Sequence, residues 1–234
     1  MAGPLIDVRG VRKNYGGLRP LRLAELSLAP GSRIAILGID APAAEILVNI
    51  LTGATLPDEG EVRVFGRATS SISEADDWLT TLDRIGMVSP RAMLAEDFTV
   101  AQGIAMAFTL SLDPVPESVA ADVVRLARDA GLAESDLGTR LAGATPLVKA
   151  RCRLARALAT TPSVLLLEHA NALVPDAAAG FGREISALAK ARRMAVIALT
   201  ADEAFANAVA DKVFTLDAAT GQLKARGGWR RLFS

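Results

Sequence analysis

Histidine and cysteine are nearly missing from this chain, with one of each in 234 residues. A single cysteine excludes a disulfide framework, and the two residues together cannot build a self-contained zinc site. Net charge is missing too. Twenty-six basic residues cancel 26 acidic ones, so no global field draws the chain to nucleic acid or to an anionic membrane. No apolar run reaches the length of a spanning helix. The start, Met1 to Asp7, has neither a basic segment nor an apolar one of the leader type. No internal repeat or low-complexity tract is present. These absences predict a protein of the reducing cytoplasm. The apolar content, 51%, is on the rich side, which leaves room for an apolar surface that meets a partner.

The most informative stretch runs from Ile34 to Gly53. Four apolar residues, Ile34 to Leu37, end at Gly38 and read as a buried strand. The apolar pairs Ile46/Leu47 and Ile50/Leu51 recur at helical spacing, so the order is strand, loop, helix. That is the frame of a phosphate-binding loop, which ordinarily carries glycines whose amides wrap phosphates, a lysine, and a hydroxyl residue for magnesium. In register, Gly38 keeps the first glycine. Ala41 and Ala43 stand at the inner glycines, Ala44 at the lysine and Glu45 at the hydroxyl residue. Pro42 deletes one amide donor. Asp40 and Glu45 put two carboxylates where phosphate oxygens would sit, and near the helix start both suit its positive end.

Around this stretch the chain alternates. Ile6 to Val8 and Leu21 to Leu23 read as short strands joined by the Gly16-Gly17 turn. Pro57 to Gly60 is a tight turn before the alternating Glu61 to Val64. A polar connector, Thr69 to Ser73, leads to Trp78 and a second buried strand, Ile85 to Val88. From Arg91 to about Leu141 the pattern is helical. Strands at 164–167, 195–199 and 213–216 then alternate with helices at about 177–193 and 202–209, which implies a mostly parallel sheet.

The order of these pieces carries a family resemblance. Tyr15 precedes the first glycine turn, and the loop at 34–45 is followed by Pro57-Asp58-Glu59-Gly60-Glu61-Val62. Then come Ile85 to Val88, Phe98-Thr99-Val100, Leu154-Ala155-Arg156-Ala157-Leu158 ahead of Pro162, Val164 to Leu167, and Ala210 to Val213. From Leu5 to Leu223 the chain resembles the nucleotide-binding subunit of ABC transporters. The resemblance implies an α/β fold of the ABC-type P-loop NTPase kind: a mostly parallel sheet core, a small antiparallel β element and an inserted helical subdomain. It also implies one such domain over 1–234, with its core at 1–90 and 151–225, the helical subdomain at 91–150 and a short tail at 226–234.

Against the family pattern the departures are systematic. The family's magnesium-touching glutamine falls on Pro90. Its signature segment falls on Thr145, Pro146, Leu147 and Val148, where proline lacks an amide hydrogen and two apolar side chains add bulk. Glu168 stands at the magnesium-linked aspartate, His169 at the catalytic glutamate and Ala201 at the switch histidine. Tyr15 stands where the family stacks an aromatic on adenine. Lys149, Arg153 and Arg156 share one helix face, either as a phosphate grip or as a salt-bridged surface.

From these departures the resemblance implies a pseudo-ATPase with no catalytic residues, no bound metal, and neither ATP nor magnesium held productively. Its role would be structural or regulatory, in an ABC-type membrane transport complex. The expected partners are a transmembrane permease subunit and a second nucleotide-binding subunit, on the inner face of the membrane, without nucleic acid. The expected docking residues are Met93, Leu94, Phe98, Val100, Ile104, Met106 and Phe108, since a Met- and Phe-rich groove accepts a helix. Gly227 to Phe233 can rest on a membrane or partner. Two alternatives remain open: a weakly active ATP-binding and hydrolysing subunit in which Glu168 and His169 act, and a soluble regulator derived from the family.

Overall fold

In the computed structural model, residues 3–17, 19–72 and 75–226 are described. The chain begins with β1 (Ile6–Lys13), β2 (Leu21–Leu28) and β3 (Arg33–Leu37), and then forms helix α1 (Ala41–Leu51). Strands β4 (Glu59–Val64) and β5 (Arg67–Ala68), helix α2 (Ala75–Leu82) and β6 (Ile85–Val88) follow. Next come three helices in succession, α3 (Val100–Ala105), α4 (Glu117–Asp129) and α5 (Pro146–Ala157). The rest alternates: β7 (Val164–Glu168), α6 (Ala178–Arg192), β8 (Ala195–Thr200), α7 (Glu203–Val209), β9 (Lys212–Leu216) and β10 (Leu223–Ala225).

Two sheets result. One is antiparallel, in the order β2-β1-β4-β5; the other runs β10-β9-β3-β8-β7-β6 and is parallel except for the β10 edge. Strands buried on both faces divide their side chains between two cores because the side-chain period is 2. Along β3, Ile34 and Ile36 face the core shared with α1 and the antiparallel sheet, while Ala35 and Leu37 face the core shared with the helices. β7 and β8 split the same way, with Leu166 and Ile197 on the first side and Leu167 and Ala198 on the second.

The α/β fold with a mostly parallel sheet and a small antiparallel element agrees with the sequence reading. Helix α2 lies just past the expected polar connector at 69–73 and has no counterpart in the sequence reading. Its anchor is Trp78, 5% exposed, whose indole N–H donates to the Thr52 carbonyl 2.9 Å away at the end of α1. That long-range contact leaves no periodic signature in a short polar segment. The expected tail lies, from residue 227 on, outside the described residues.

Candidate functional site

The site forms where β3 hands over to α1. Gly38 has φ +83, its N–H donates to the Thr200 carbonyl of β8 at 2.8 Å, and a Cβ added there would meet nothing within 4 Å. Glycine is therefore required by backbone conformation and not by crowding. Asp40 then caps α1, its Oδ1 accepting from the Ala43 N–H at 2.8 Å, with Pro42 in the first turn. The amides of Ile39, Asp40 and Ala41 have no hydrogen-bond partner among the described residues. They lie at the positive end of an 11-residue helix, an arrangement suited to an anion. Ala44 is fully buried in the core, so position 44 contributes packing and no charge.

The two carboxylates near the loop do not face it as expected. Asp40 turns back onto its own helix. Glu45 lies past the first turn of α1 and reaches across to Arg91, whose Nη1 donates to its Oε1 at 3.0 Å. The same guanidinium holds Glu168 at the end of β7, with Nε 2.9 and 3.1 Å from the two oxygens and Nη2 2.8 Å from Oε2. Glu168 is 3% exposed, and its hydrogen bonds to Arg91 hold the guanidinium above its usual pKa, against the opposing effect of burial. Sequence reasoning missed Arg91. The available signal was charge balance: two carboxylates brought to one spot require a cation once one of them is buried.

The loop bearing Arg91 is fixed from behind. The Ser89 hydroxyl accepts from the Arg91 N–H at 3.0 Å, and the Ala92 N–H closes a turn onto the Ser89 carbonyl at 3.1 Å. On α5, Arg153 Nε donates to the Ala92 carbonyl at 2.8 Å and Arg156 Nη1 to the Met93 carbonyl at 3.0 Å. Lys149 pairs with Glu96. The three cations of that helix face hold the loop. Pro90 is exposed on the same turn.

On the other side of the α1 terminus lies a cleft of about 470 Å³, lined among others by Tyr15, Arg19, Gly38, Asp40, Pro42 and Ala43. Burial raises the Tyr15 pKa, and the Asp40 carboxylate adds to the rise. His169, next to Glu168, has φ +45 and donates its N–H to the Leu199 carbonyl at 2.8 Å; its Nε2 is buried without a partner among the described residues.

A magnesium ion commonly rests on one or two carboxylates completed by substrate phosphates. Glu45 has the chemistry for one such contact, whereas both oxygens of Glu168 are held by Arg91, and among the described residues no group of three His, Cys, Asp or Glu gathers to hold a metal. The donor set fits a metal that arrives with phosphate.

No family model matches the chain. The methionine import ATP-binding protein MetN of Brucella abortus (strain 2308) is 28% identical over 219 residues, 92% of this chain and 58% of that protein. The chain thus spans 58% of the length of these first relatives. Among solved structures, cbiO1 from Clostridium perfringens, part of the ABC transporter complex cbiONQ, aligns with a TM-score of 0.77 at 20% identity, over 95% of this chain and 87% of that one. The ATP-binding cassette MJ0796, solved as a dimer bound to ADP and Pi, aligns with a TM-score of 0.72 at 20% identity, over 95% of this chain and all of that one. The fold is that of an ATP-binding cassette. The relatives are ATP-binding subunits of import systems.

Two expectations are thereby corrected. The chain was expected to be a pseudo-ATPase and to take no ATP. Its relatives are named as ATP-binding import proteins, and a cassette of the same fold holds ADP and Pi in a post-hydrolysis state. Neither expectation stands against these findings. Counting lost motif residues overlooked the free amides at 39–41 and the cation contributed by Arg91.

Other sites fall as follows in the cassette. Thr145 caps α5, accepting from the Val148 N–H at 3.3 Å with Pro146 in the first turn, while Leu147 and Val148 pack on the helical core. Ala201 is exposed after β8, and Asp202 caps α7 through the Phe205 N–H at 2.8 Å. Of the expected docking residues, Val100, Ile104 and Leu94 are buried in the core and present no surface. Phe98 and Met106 pack against that core half-buried, whereas Met93 and Phe108 are exposed. A separate groove runs between β6 and α5, lined by Leu79, Met87, Ala92, Ala107, Arg153 and Arg156.

Proposed function

We propose that this chain is a weakly active ATP-binding subunit of an ABC-type import complex. The observation that carries this reading is the meeting, at one helix terminus, of three unpartnered amides (Ile39, Asp40, Ala41) with the cleft lined by Tyr15. The amides suit the phosphates and the Tyr15 ring suits the base. The MetN and RbsA relatives, named as import ATP-binding proteins, support it. Affinity is low because position 44 supplies no ammonium. Glu45, once released by Arg91, is the residue that would hold a magnesium ion, and its charge would offset that of the phosphates there.

Within this reading the region from α3 to α5 is the helical subdomain, and two partners follow. A second nucleotide-binding subunit faces the α1 terminus and brings Thr145 to Val148 of one copy toward the other. A helix of a membrane-spanning permease subunit docks on the groove beside Met87 and Leu79, with Met93 and Phe108 at its margin. Among the described residues, no helix is long and apolar enough to cross a membrane, so attachment to the membrane is through that partner.

The test is a thermal shift with magnesium and ATP, followed by phosphate release with and without the co-expressed permease. A ligand at 100 times its dissociation constant stabilises by about 2.7 kcal/mol, so millimolar ATP should raise the melting temperature measurably. No shift at 10 mM or so, about that same excess for a Kd near 0.1 mM, together with no phosphate release in the complex, overturns the reading.

A further inference from the structure

A polyphosphate on the amides of 39–41 needs a cation, and α1 offers none, since Ala44 is fully buried. Arg19 and Arg22 line the cleft on one side of that terminus; on the other side, the guanidinium bonded to α1 itself comes from across the sheet. Glu45 is one helical turn beyond Ala41 on the same face, roughly 5.4 Å along the axis, and helical side chains lean back toward the N-terminus. Arg91, 3.0 Å from Glu45, therefore stands within the span of a triphosphate seated on those amides.

The two arms of Arg91 differ. Toward Glu168, whose side chain is 5% exposed, it makes a forked pair; toward Glu45, 46% exposed, it makes a single contact. An exposed ion pair contributes little and exchanges readily, whereas a buried forked one holds. Of the five N–H donors of a guanidinium, the bonds to Glu168 and Glu45 use Nε–H and one N–H on each terminal nitrogen. One N–H on Nη1 and one on Nη2 remain, and the Arg91 side chain is 42% exposed.

We infer that Arg91 is the phosphate-gripping residue of this cassette, keeping Glu168 as its anchor and exchanging Glu45 for the terminal phosphates of ATP. The assignment rests on the ATP-binding reading above. A guanidinium suits the exchange because its planar fork serves two anions at once, which an ammonium on helix α1 would not do.

Isothermal titration of ATP and of AMP into the full chain tests it, with wild type, Arg91→Gln, Arg91→Lys and the Arg91→Gln/Glu168→Gln double variant. The double variant removes the buried carboxylate that Arg91→Gln alone leaves unpaired, so a folded sample is available. Expected are a loss of ATP affinity of tenfold or more in both glutamine variants, unchanged AMP affinity, and partial retention in Arg91→Lys. ATP affinity unchanged in the double variant overturns the assignment and leaves the ATP-binding reading standing. Equal loss of ATP and AMP marks a merely structural role and also overturns it. Wild type that binds no ATP sinks both.

Discussion

Arg91 and Glu168, 77 residues apart in the chain, share a forked ion pair with three donor–acceptor distances between 2.8 and 3.1 Å. The partners are unequally buried, with side chains 42% and 5% exposed. Removing the exposed cation strands a buried carboxylate, whereas removing the carboxylate frees an arginine that still has Glu45 and water. Breaking fully buried pairs costs about 3–5 kcal/mol, and the half-exposed arginine reduces that here. Arg91→Met should therefore destabilise by about 2 kcal/mol, and Glu168→Gln by less. The Arg91→Met/Glu168→Met double variant should recover most of the loss. Urea midpoints of the three variants check the order; equal losses in the two single variants would refute it.

Tyr15 is the only tyrosine in the chain, so its ionisation can be followed by ultraviolet absorbance without interference from another phenol. Its pKa is raised by burial first and by the Asp40 carboxylate second. Asp40→Asn keeps an oxygen that can cap α1 but removes the charge. The tyrosine titration should then move down toward its ordinary range without reaching it, since burial persists. A titration curve unchanged by the substitution would mean that Asp40 does not face Tyr15 across the cleft.

Much of the fold was legible because it depends on local periodicity. The β3 run Ile34 to Leu37 and the α1 apolar pairs identify their own elements, and Asp40 announced a cap that the structure contains. What escaped was set by contacts between distant segments. The partner of Glu45 lies 46 residues away and that of Glu168 lies 77 away, so neither spacing nor propensity points to Arg91. Docking residues were misassigned for a related reason: Val100 and Ile104 are apolar at helical spacing, which states that they are buried but not against what. The inference from missing motif residues to missing function left out the backbone amides, which every residue type carries and which leave no mark in a sequence.

Gly38 and Gly86 are required for opposite reasons, and alanine separates them. At Gly38 the φ of +83 is strained for a side chain but the space is open, so Gly38→Ala should cost about 1–2 kcal/mol and tilt the 39–41 amides. At Gly86 in β6 a Cβ would lie 2.4 Å from the Ala157 carbonyl oxygen, a clash with backbone that cannot rotate away. Gly86→Ala should cost more, about 3 kcal/mol, at the upper end of overpacking. ATP affinity adds a second readout: it should fall further in Gly38→Ala than in Gly86→Ala, the reverse of the stability order. Matching orders in the two measurements would refute the distinction.

Cys152, the single cysteine, is fully buried on α5, its Sγ facing the Val100 carbonyl. Burial pushes its pKa up to about 11, against the opposing pull of Arg156 and Arg153. An unfolded thiol ionises near 8.5. Below about pH 8 both states hold the proton and the residue contributes no pH dependence. As pH rises further the unfolded chain loses that proton first, so stability falls from about pH 9 through about 11. One pKa unit corresponds to 1.36 kcal/mol, so the gap between about 8.5 and about 11 amounts to about 3–4 kcal/mol. Urea midpoints at pH 7 and pH 10.5 should diverge more in wild type than in Cys152→Ala, which cancels the contributions of other titrating groups. A thiol reagent at pH 8 should label the native chain slowly and the urea-unfolded chain at once. Prompt native labelling, or equal pH slopes in the two proteins, would show that Cys152 is not sealed between α5 and α3.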